Sequence, residues 1–435
     1  MDPVTASLLG IGLLIFLLFL GIHVGIALAF AGLIGQWAIL GEFRLGLSIF
    51  STTPYAVASS FAFTMLPLFV LMGIFSDKGG ISKDAYEVAN KWVIRIPGGL
   101  AIATVAANAV FAATCGVSSA AAAIFSKIAY PEMKKYGYQK GLALGSIAAG
   151  GTLAVLIPPS ILMVLYGVFA EVSVGKLMLA GFIPGIILAL FLSATIYVRV
   201  KINPSLAPSV NVSIPWKEKF LALRKMWGVF ALVLLVIGGI YGGIFTPTEA
   251  GALGAFGAFV LCLFTRRLGF TDLASVVLEV GSTIGMIYLI FIGAQIFSRF
   301  LAVSGLPGRL IEVVTKLGLP PMAVMAAIVV LYLILGMLID GISALLCTIP
   351  VLYPISQSLG WDPIWFGIVL IVLIEIGLCT PPFAANVFMV KSGAPDATLE
   401  EIFRGVFPMI ISMFIFLLII IAFPGISLFL PNLMK

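Results

Sequence analysis

The sequence predicts an all-α polytopic membrane protein of about 10–12 membrane segments, built from two inverted repeats that each hold a re-entrant hairpin and a broken helix. Three observations predict it: an apolar composition, a set of turn and break residues that recurs at a near-constant offset, and a distribution of lysine and arginine that fixes the side of each loop. The chain is 62% hydrophobic and 10% charged over 435 residues, with a mean hydropathy of +1.22, far from the usage of soluble domains. No polar stretch is long enough to hold such a domain. Lipid is therefore the main solvent, and backbone polar groups at membrane depth must be satisfied within helices or behind protein.

Residues 1–76 read as N-terminal scaffold helices, with Ser7–Ile22, Val24–Leu40 and Phe61–Ser76 as clear spans. The first run has no basic leader and no A-x-A-like cleavage site, so a retained helix is expected. Residues 77–198 make the first repeat. Its segment Pro97–Tyr130 is two short apolar helices interrupted at Cys115-Gly-Val-Ser-Ser119, with Lys91 and Arg95 before it and Lys127, Lys134, Lys135 and Lys140 after it. Both ends then lie inside, which makes a re-entrant hairpin (about 97–130) entering from the cytoplasm. Gly141–Ala170 crosses with a break at Pro158-Pro159, and Leu179–Val198 crosses back.

The linker 199–226 carries Arg199, Lys201, Lys217, Lys219, Arg224 and Lys225 and belongs in the cytoplasm. Within the scaffold region 227–298, spans at 227–245 and 250–264 return the chain to Arg266 and Arg267 on that same side. The second repeat, 299–404, has a hairpin over 319–353, interrupted at Asp340-Gly-Ile-Ser343 between nearly uncharged loops, and a helix broken at Pro381-Pro382. This hairpin enters from outside, because five crossings separate it from the first. Residues 405–435 form a C-terminal helix.

The repeat itself is legible. Tyr130-Pro131 and Pro158-Pro159 recur as Tyr353-Pro354 and Pro381-Pro382, both 223 residues later, and Gly137 recurs as Gly360. Gly116-Val-Ser118 matches Gly341-Ile-Ser343 at 225, an ordinary two-residue insertion. Inverted repeats of this kind face two half-sites toward each other at mid-membrane.

Several function classes are excluded. The net charge of +6 sits in short loops, the pattern of a membrane protein rather than of a nucleic-acid partner. No G-x-x-x-x-G-K phosphate loop is present. A single histidine, His23, rules out a multi-histidine metal centre, and the four cysteines lie unpaired in apolar runs. No nucleophile, base and orienter can be assembled from these, so an enzyme is not expected.

The chemistry is expected at the interruptions. Each Pro-Pro pair removes two N–H donors and frees carbonyl oxygens. Beside them stand Thr152 and Ser160 in the first repeat and Thr380 in the second; the tips add Gly116, Ser118, Ser119, Gly341 and Ser343. Carbonyls and hydroxyls are hard ligands suited to sodium, which gives two pseudo-symmetric sodium sites, with Pro158 and Pro381 at the breaks. Asp340 and Glu375 are ionisable groups at membrane depth and functional candidates on that ground; either binds a cation or holds unwound backbone. Ser160, Glu375 and Asn386 are assigned to substrate. Thr246-Pro-Thr-Glu249 reads as a structural capping box, and Arg299 and Arg309 as outer-side loop charges.

Four segments, Gly336-Met-Leu-Ile-Asp340-Gly-Ile-Ser-Ala344, Ile374-Glu-Ile-Gly-Leu-Cys-Thr-Pro-Pro382, Thr246-Pro-Thr-Glu-Ala-Gly251 and Leu430-Pro-Asn-Leu433, together resemble the large membrane subunit of tripartite ATP-independent periplasmic (TRAP) transporters. The likeness covers essentially the whole chain. It implies an elevator-type sodium-driven importer of carboxylate-bearing organic acids in the bacterial inner membrane, with a scaffold and a moving body of two hairpins and two broken helices. It implies a small four-helix membrane subunit and a periplasmic substrate-binding protein as partners, sodium as coupling ion, and no organic cofactor. It places sodium at Ser118, Ser119, Thr152, Pro158, Gly341, Ser343, Thr380 and Pro381. The first tip departs from the family pattern: Cys115 and the run Ala120–Ala123 replace a more polar stretch. The alternatives are a stand-alone sodium/divalent-anion symporter without a binding protein, and a passive channel, against which two occluded sites argue.

Overall fold

The computed structural model describes residues 3–208, 210, 214–265, 267 and 269–434. Arg266 and part of the basic linker, residues 209 and 211–213, lie outside the described residues. Every regular element among the described residues is a helix. In chain order they are α1 (Pro3–Phe19), α2 (Val24–Leu40), α3 (Phe43–Ala58), α4 (Met65–Lys78), α5 (Ile81–Val93), α6 (Gly99–Cys115), α7 (Ser118–Lys135), α8 (Lys140–Gly151), α9 (Leu153–Leu156), α10 (Ile161–Phe169) and α11 (Val174–Ile202). After the linker come α12 (Trp216–Leu223), α13 (Trp227–Val233), α14 (Gly239–Tyr241), α15 (Pro247–Phe264), α16 (Phe270–Ser304), α17 (Leu306–Lys316), α18 (Pro321–Gly336), α19 (Gly341–Ser358), α20 (Pro363–Gly377), α21 (Ala385–Gly393), α22 (Leu399–Ala422) and α23 (Gly425–Leu433).

Among the described residues, seven helical stretches are long and apolar enough to cross a membrane, or eight when the pair Lys140–Leu156 and Ile161–Phe169, bent by 41°, counts as one span. The other expected segments are five apolar helices of 10–17 residues. Three of these, α6, α18 and α20, are short because each stops at a hairpin tip or a break. A left-handed glycine, Gly116, ends α6, and Pro381-Pro382 follows the end of α20.

Small residues let the helices meet backbone to backbone, as in membrane interiors generally. Along α2 and α16 the approach advances in step: a Cβ added to Gly25 would meet the Leu289 carbonyl at 2.5 Å, and one on Gly32 would meet Phe297 Cα at 2.9 Å. The two helices therefore run parallel, tied further by Gln36 Nε2 donating to the Ile296 carbonyl at 3.1 Å. Gly141 and Gly145 on α8 abut Gly405 on α22. On α4, the Phe75 carbonyl accepts from Cys262 Sγ of α15 at 2.8 Å. The capping box at α15 is as expected: Thr246 N donates to Glu249 Oε2 at 2.8 Å, and Glu249 N donates to Thr246 Oγ1 at 3.3 Å.

Candidate transport site

The two repeats build their tips differently. In the first, α6 ends at Cys115, Gly116 takes the left-handed conformation with φ +72° that only glycine enters freely, and α7 begins at Ser118 with no side chain capping its N–H groups. A Cβ on Gly116 would lie 2.8 Å from the Pro159 carbonyl oxygen, and Ile161 N donates to the Gly116 carbonyl at 3.4 Å. The tip is thus seated directly on the first broken helix. In the second, Asp340 caps α19: Ser343 N donates to Asp340 Oδ1 at 3.1 Å, and Ser343 Oγ donates to Oδ2. The arms of this hairpin are joined by Tyr332 and Thr348, whose hydroxyls lie 2.6 Å apart. Asp340 thus caps the tip while still lining the cavity.

Both breaks fall at cis Pro-Pro bonds, Pro158-Pro159 and Pro381-Pro382. The threonines beside them are alike. Thr152 Oγ1 donates to the Ala149 carbonyl at 2.6 Å, and Thr380 Oγ1 donates to the Ile376 carbonyl at 2.7 Å. With its proton spent on its own helix, each hydroxyl presents only lone pairs outward. Ser160 is fully buried and caps α10, accepting from Met163 N at 3.3 Å.

A cavity of about 680 Å³ collects six of the thirteen expected site residues on its wall: Gly116, Ser118, Ser119, Asp340, Gly341 and Glu375. Thr152, Pro158, Ser160, Ser343, Thr380, Pro381 and Asn386 do not line it. The rest of the wall comes from the α1–α2 turn, the end of α4 and the middle of α16. Glu375 lies 1% exposed in α20, within reach of the Ser118 hydroxyl of the other repeat, while neither carboxylate oxygen makes a hydrogen bond of normal geometry. Asn386 Oδ1 and Asn108 Oδ1 are likewise buried without a partner. A buried carboxylate left in this state is costly unless a cation or a proton meets it, and the site fits either.

Sequence reasoning missed Asn108, whose Cβ and amide stand against Gly150. An asparagine inside the apolar run of α6 was the available signal. It also missed this second wall, where His23, Asp77, Lys78 and Glu279 reach the cavity. His23 additionally caps α2, its Nδ1 accepting from Gly25 N at 3.3 Å. Asp77 is half-buried and accepts from Ser82 Oγ at 2.7 Å. Arg299 and Arg309 do not line the cavity. Among the described residues no group of three or more His, Cys, Asp or Glu side chains could hold a metal ion.

Comparison with known proteins accords with this architecture. Residues 11–426 match the family model "Tripartite ATP-independent periplasmic transporter, DctM component". The chain is 37% identical over 392 residues, 89% of each protein, to the C4-dicarboxylate TRAP transporter large permease protein DctM of Pseudomonas aeruginosa. It is 33% identical over 415 residues to the isethionate TRAP transporter permease protein DctMQ of Oleidesulfovibrio alaskensis, covering 95% of this chain and 65% of that one. The fold is shared with the YdaH transporter of Alcanivorax borkumensis, with a TM-score of 0.62 at 15% identity over 89% of this chain and 88% of that one. A multi-pass helical membrane protein with two tips and a buried carboxylate at one cavity, matched to one family model over nearly its full length, belongs to the DctM family, the large membrane subunits of tripartite ATP-independent periplasmic transporters.

Proposed function

We propose that this chain imports a carboxylate-bearing organic acid, such as a C4-dicarboxylate or sialic acid, across the bacterial inner membrane, driven by sodium and moving as an elevator. The solute is handed over by a periplasmic binding protein, and a small four-helix membrane subunit works beside the chain. The observation that carries this reading is the convergence of one tip from each repeat, with Glu375, on one wall of the 680 Å³ cavity. Two helix N-termini near it, α7 at Ser118 and α21 at Ala385, have no side-chain cap. At α21 the Asn386 N–H is already taken by the Leu378 carbonyl at 3.1 Å, so the uncapped N–H groups and helix dipole at Ser118 are the ones that suit an anion. The threonine lone pairs, break carbonyls and orphaned carboxylate suit sodium. A relative named for a C4-dicarboxylate supports the carboxylate class, while one named for isethionate, a sulfonate, supports only a small organic anion.

The basic side of the molecule is the cytoplasmic side by the distribution of lysine and arginine. The test is uptake into proteoliposomes holding this chain and the small subunit, with the binding protein outside. Accumulation that requires a sodium gradient and the binding protein is the expected result. Uptake that runs equally well without the gradient overturns sodium coupling, and uptake that needs no binding protein points to the stand-alone symporter.

A further inference from the structure

The cytoplasmic end of the span Trp216–Tyr241 carries an aromatic and basic cluster that the transport reading does not use. Trp92 of α5 meets two rings of α12 edge-on, Trp216 at 6.2 Å and Phe220 at 5.6 Å between centroids. The Lys219 ammonium lies 5.0 Å from the Trp216 ring and 5.9 Å from the Trp92 ring, and donates to the Trp92 carbonyl at 3.5 Å. Trp216, Phe220 and Leu221 are nonetheless exposed, and the exposed apolar stripe continues up the span through Trp227, Phe230 and Leu234. Such a stripe faces acyl chains, and tryptophan at its end marks headgroup depth.

At that depth the charge is positive. Lys217, Lys219, Arg224 and Lys225 stand against one acid in the same stretch, Glu218. Lys225 is satisfied by Glu87 at 2.6 Å, while Lys217 and Arg224 are exposed and make no ion pair among the described residues. Two cations without partners at the rim of an aromatic shelf, directly below a lipid-facing stripe, complement a phosphodiester headgroup whose acyl chains lie along Trp227 and Phe230. A soluble acidic partner would leave the apolar stripe uncovered.

We propose that the α5–α12 shelf is a binding site for an anionic phospholipid, held by Lys217 and Arg224 at its phosphate and by Trp216 and Phe220 at its glycerol and upper acyl region. Lys219, already stacked on the two indoles, keeps the shelf rigid. The site ties α5, which leads into the first hairpin through α6, to the cytoplasmic leaflet.

The full chain is placed in nanodiscs of phosphatidylcholine alone or mixed with phosphatidylglycerol, with brominated versions of either lipid as quenchers. The quenching lost in Trp216→Phe reports that ring. Brominated phosphatidylglycerol is expected to occupy the shelf about tenfold in preference to brominated phosphatidylcholine, in line with the attraction of each surface cation to anionic lipid. That preference falls toward parity in Lys217→Gln/Arg224→Gln and with added salt, but not in the outer-side control Lys316→Gln. Equal quenching by the two lipids in the wild-type chain overturns the proposal. So does inorganic phosphate abolishing a preference that chloride at the same ionic strength leaves in place, which assigns the site to free phosphate. Loss of all Trp216 quenching when the small membrane subunit is added also overturns it, since the face then belongs to protein.

Discussion

Thr380 has one proton and two lone pairs, and the proton is committed to the Ile376 carbonyl at 2.7 Å. What remains are lone pairs on an oxygen fixed by its own helix, free to meet a cation under the proposed sodium coupling, and Thr152 repeats the arrangement with Ala149. Replacing Thr380 by Val keeps the shape and removes the oxygen. We expect the sodium concentration for half-maximal uptake to rise about tenfold, roughly 1.4 kcal/mol of binding, while Thr380→Ser stays near wild type. Uptake measured against sodium concentration decides it, and an unchanged dependence removes Thr380 from the ligand set. Asp340 is read differently, because its carboxylate is spent on Ser343. Asp340→Ala is expected to cost about 1–2 kcal/mol of stability, the worth of a helix cap, and Asp340→Asn to recover most of it. The unfolding temperatures of the two variants give the comparison. If Asn restores stability but not sodium-dependent uptake, the charge has a cation role beyond the cap.

At the scale of elements, the second hairpin and the second broken helix cross at a glycine pair. A Cβ on Gly377 would lie 2.7 Å from Gly336 Cα, and one on Gly336 would lie 2.6 Å from Gly377 Cα. Backbone meets backbone there, so no side chain can yield. Gly377→Ala should push α18 from α20 at a cost of about 1–3 kcal/mol, the usual range for overpacking, lowering the unfolding temperature and uptake together. The same substitution at Gly281, where nothing lies within 4 Å, should be silent. Legibility in the sequence divides along this line. The breaks were readable because Pro-Pro is a local instruction, and the tips because glycine with small hydroxyls in an apolar run is also local. The glycine crossing of 336 with 377, the approach of Asn108 to Gly150, and the second wall of the cavity depend on which helices meet, and no local pattern states that. Glu375 was found for its charge, but that its neighbour is Ser118 of the other repeat required the fold.

Across the whole molecule the two repeats are joined on the basic side. Asp396, in the turn after α21, accepts from Lys134 Nζ of α7 at 2.8 Å and from Tyr130 OH at 3.0 Å, while Lys140 donates to its backbone carbonyl at 2.7 Å. The Lys134 ammonium holds the Asp396 carboxyl down at about 2, against an ordinary 3.8. A depressed carboxyl contributes stability above its unfolded value and loses it as pH falls through the folded one. Asp396→Asn should therefore lower the unfolding temperature by at most a few degrees near neutrality, since the pair is partly exposed, and the gap to wild type should close as pH drops from about 4 toward 2. The junction also suggests which parts travel together. Gly393 of α21 packs on Ser126 of α7, so the proposed elevator would carry first hairpin and second broken helix together, whereas the tip faces α16 across open cavity. In a background lacking the four native cysteines, linking Lys134→Cys to Asp396→Cys should leave uptake intact, because both positions move as a unit. Linking Ala120→Cys on the tip to Met286→Cys on α16, which line the same cavity, with a short bifunctional reagent should stop it. Full uptake by the second linked protein would mean that the tips work without sliding past the scaffold, and the elevator reading would have to be replaced by a local gate.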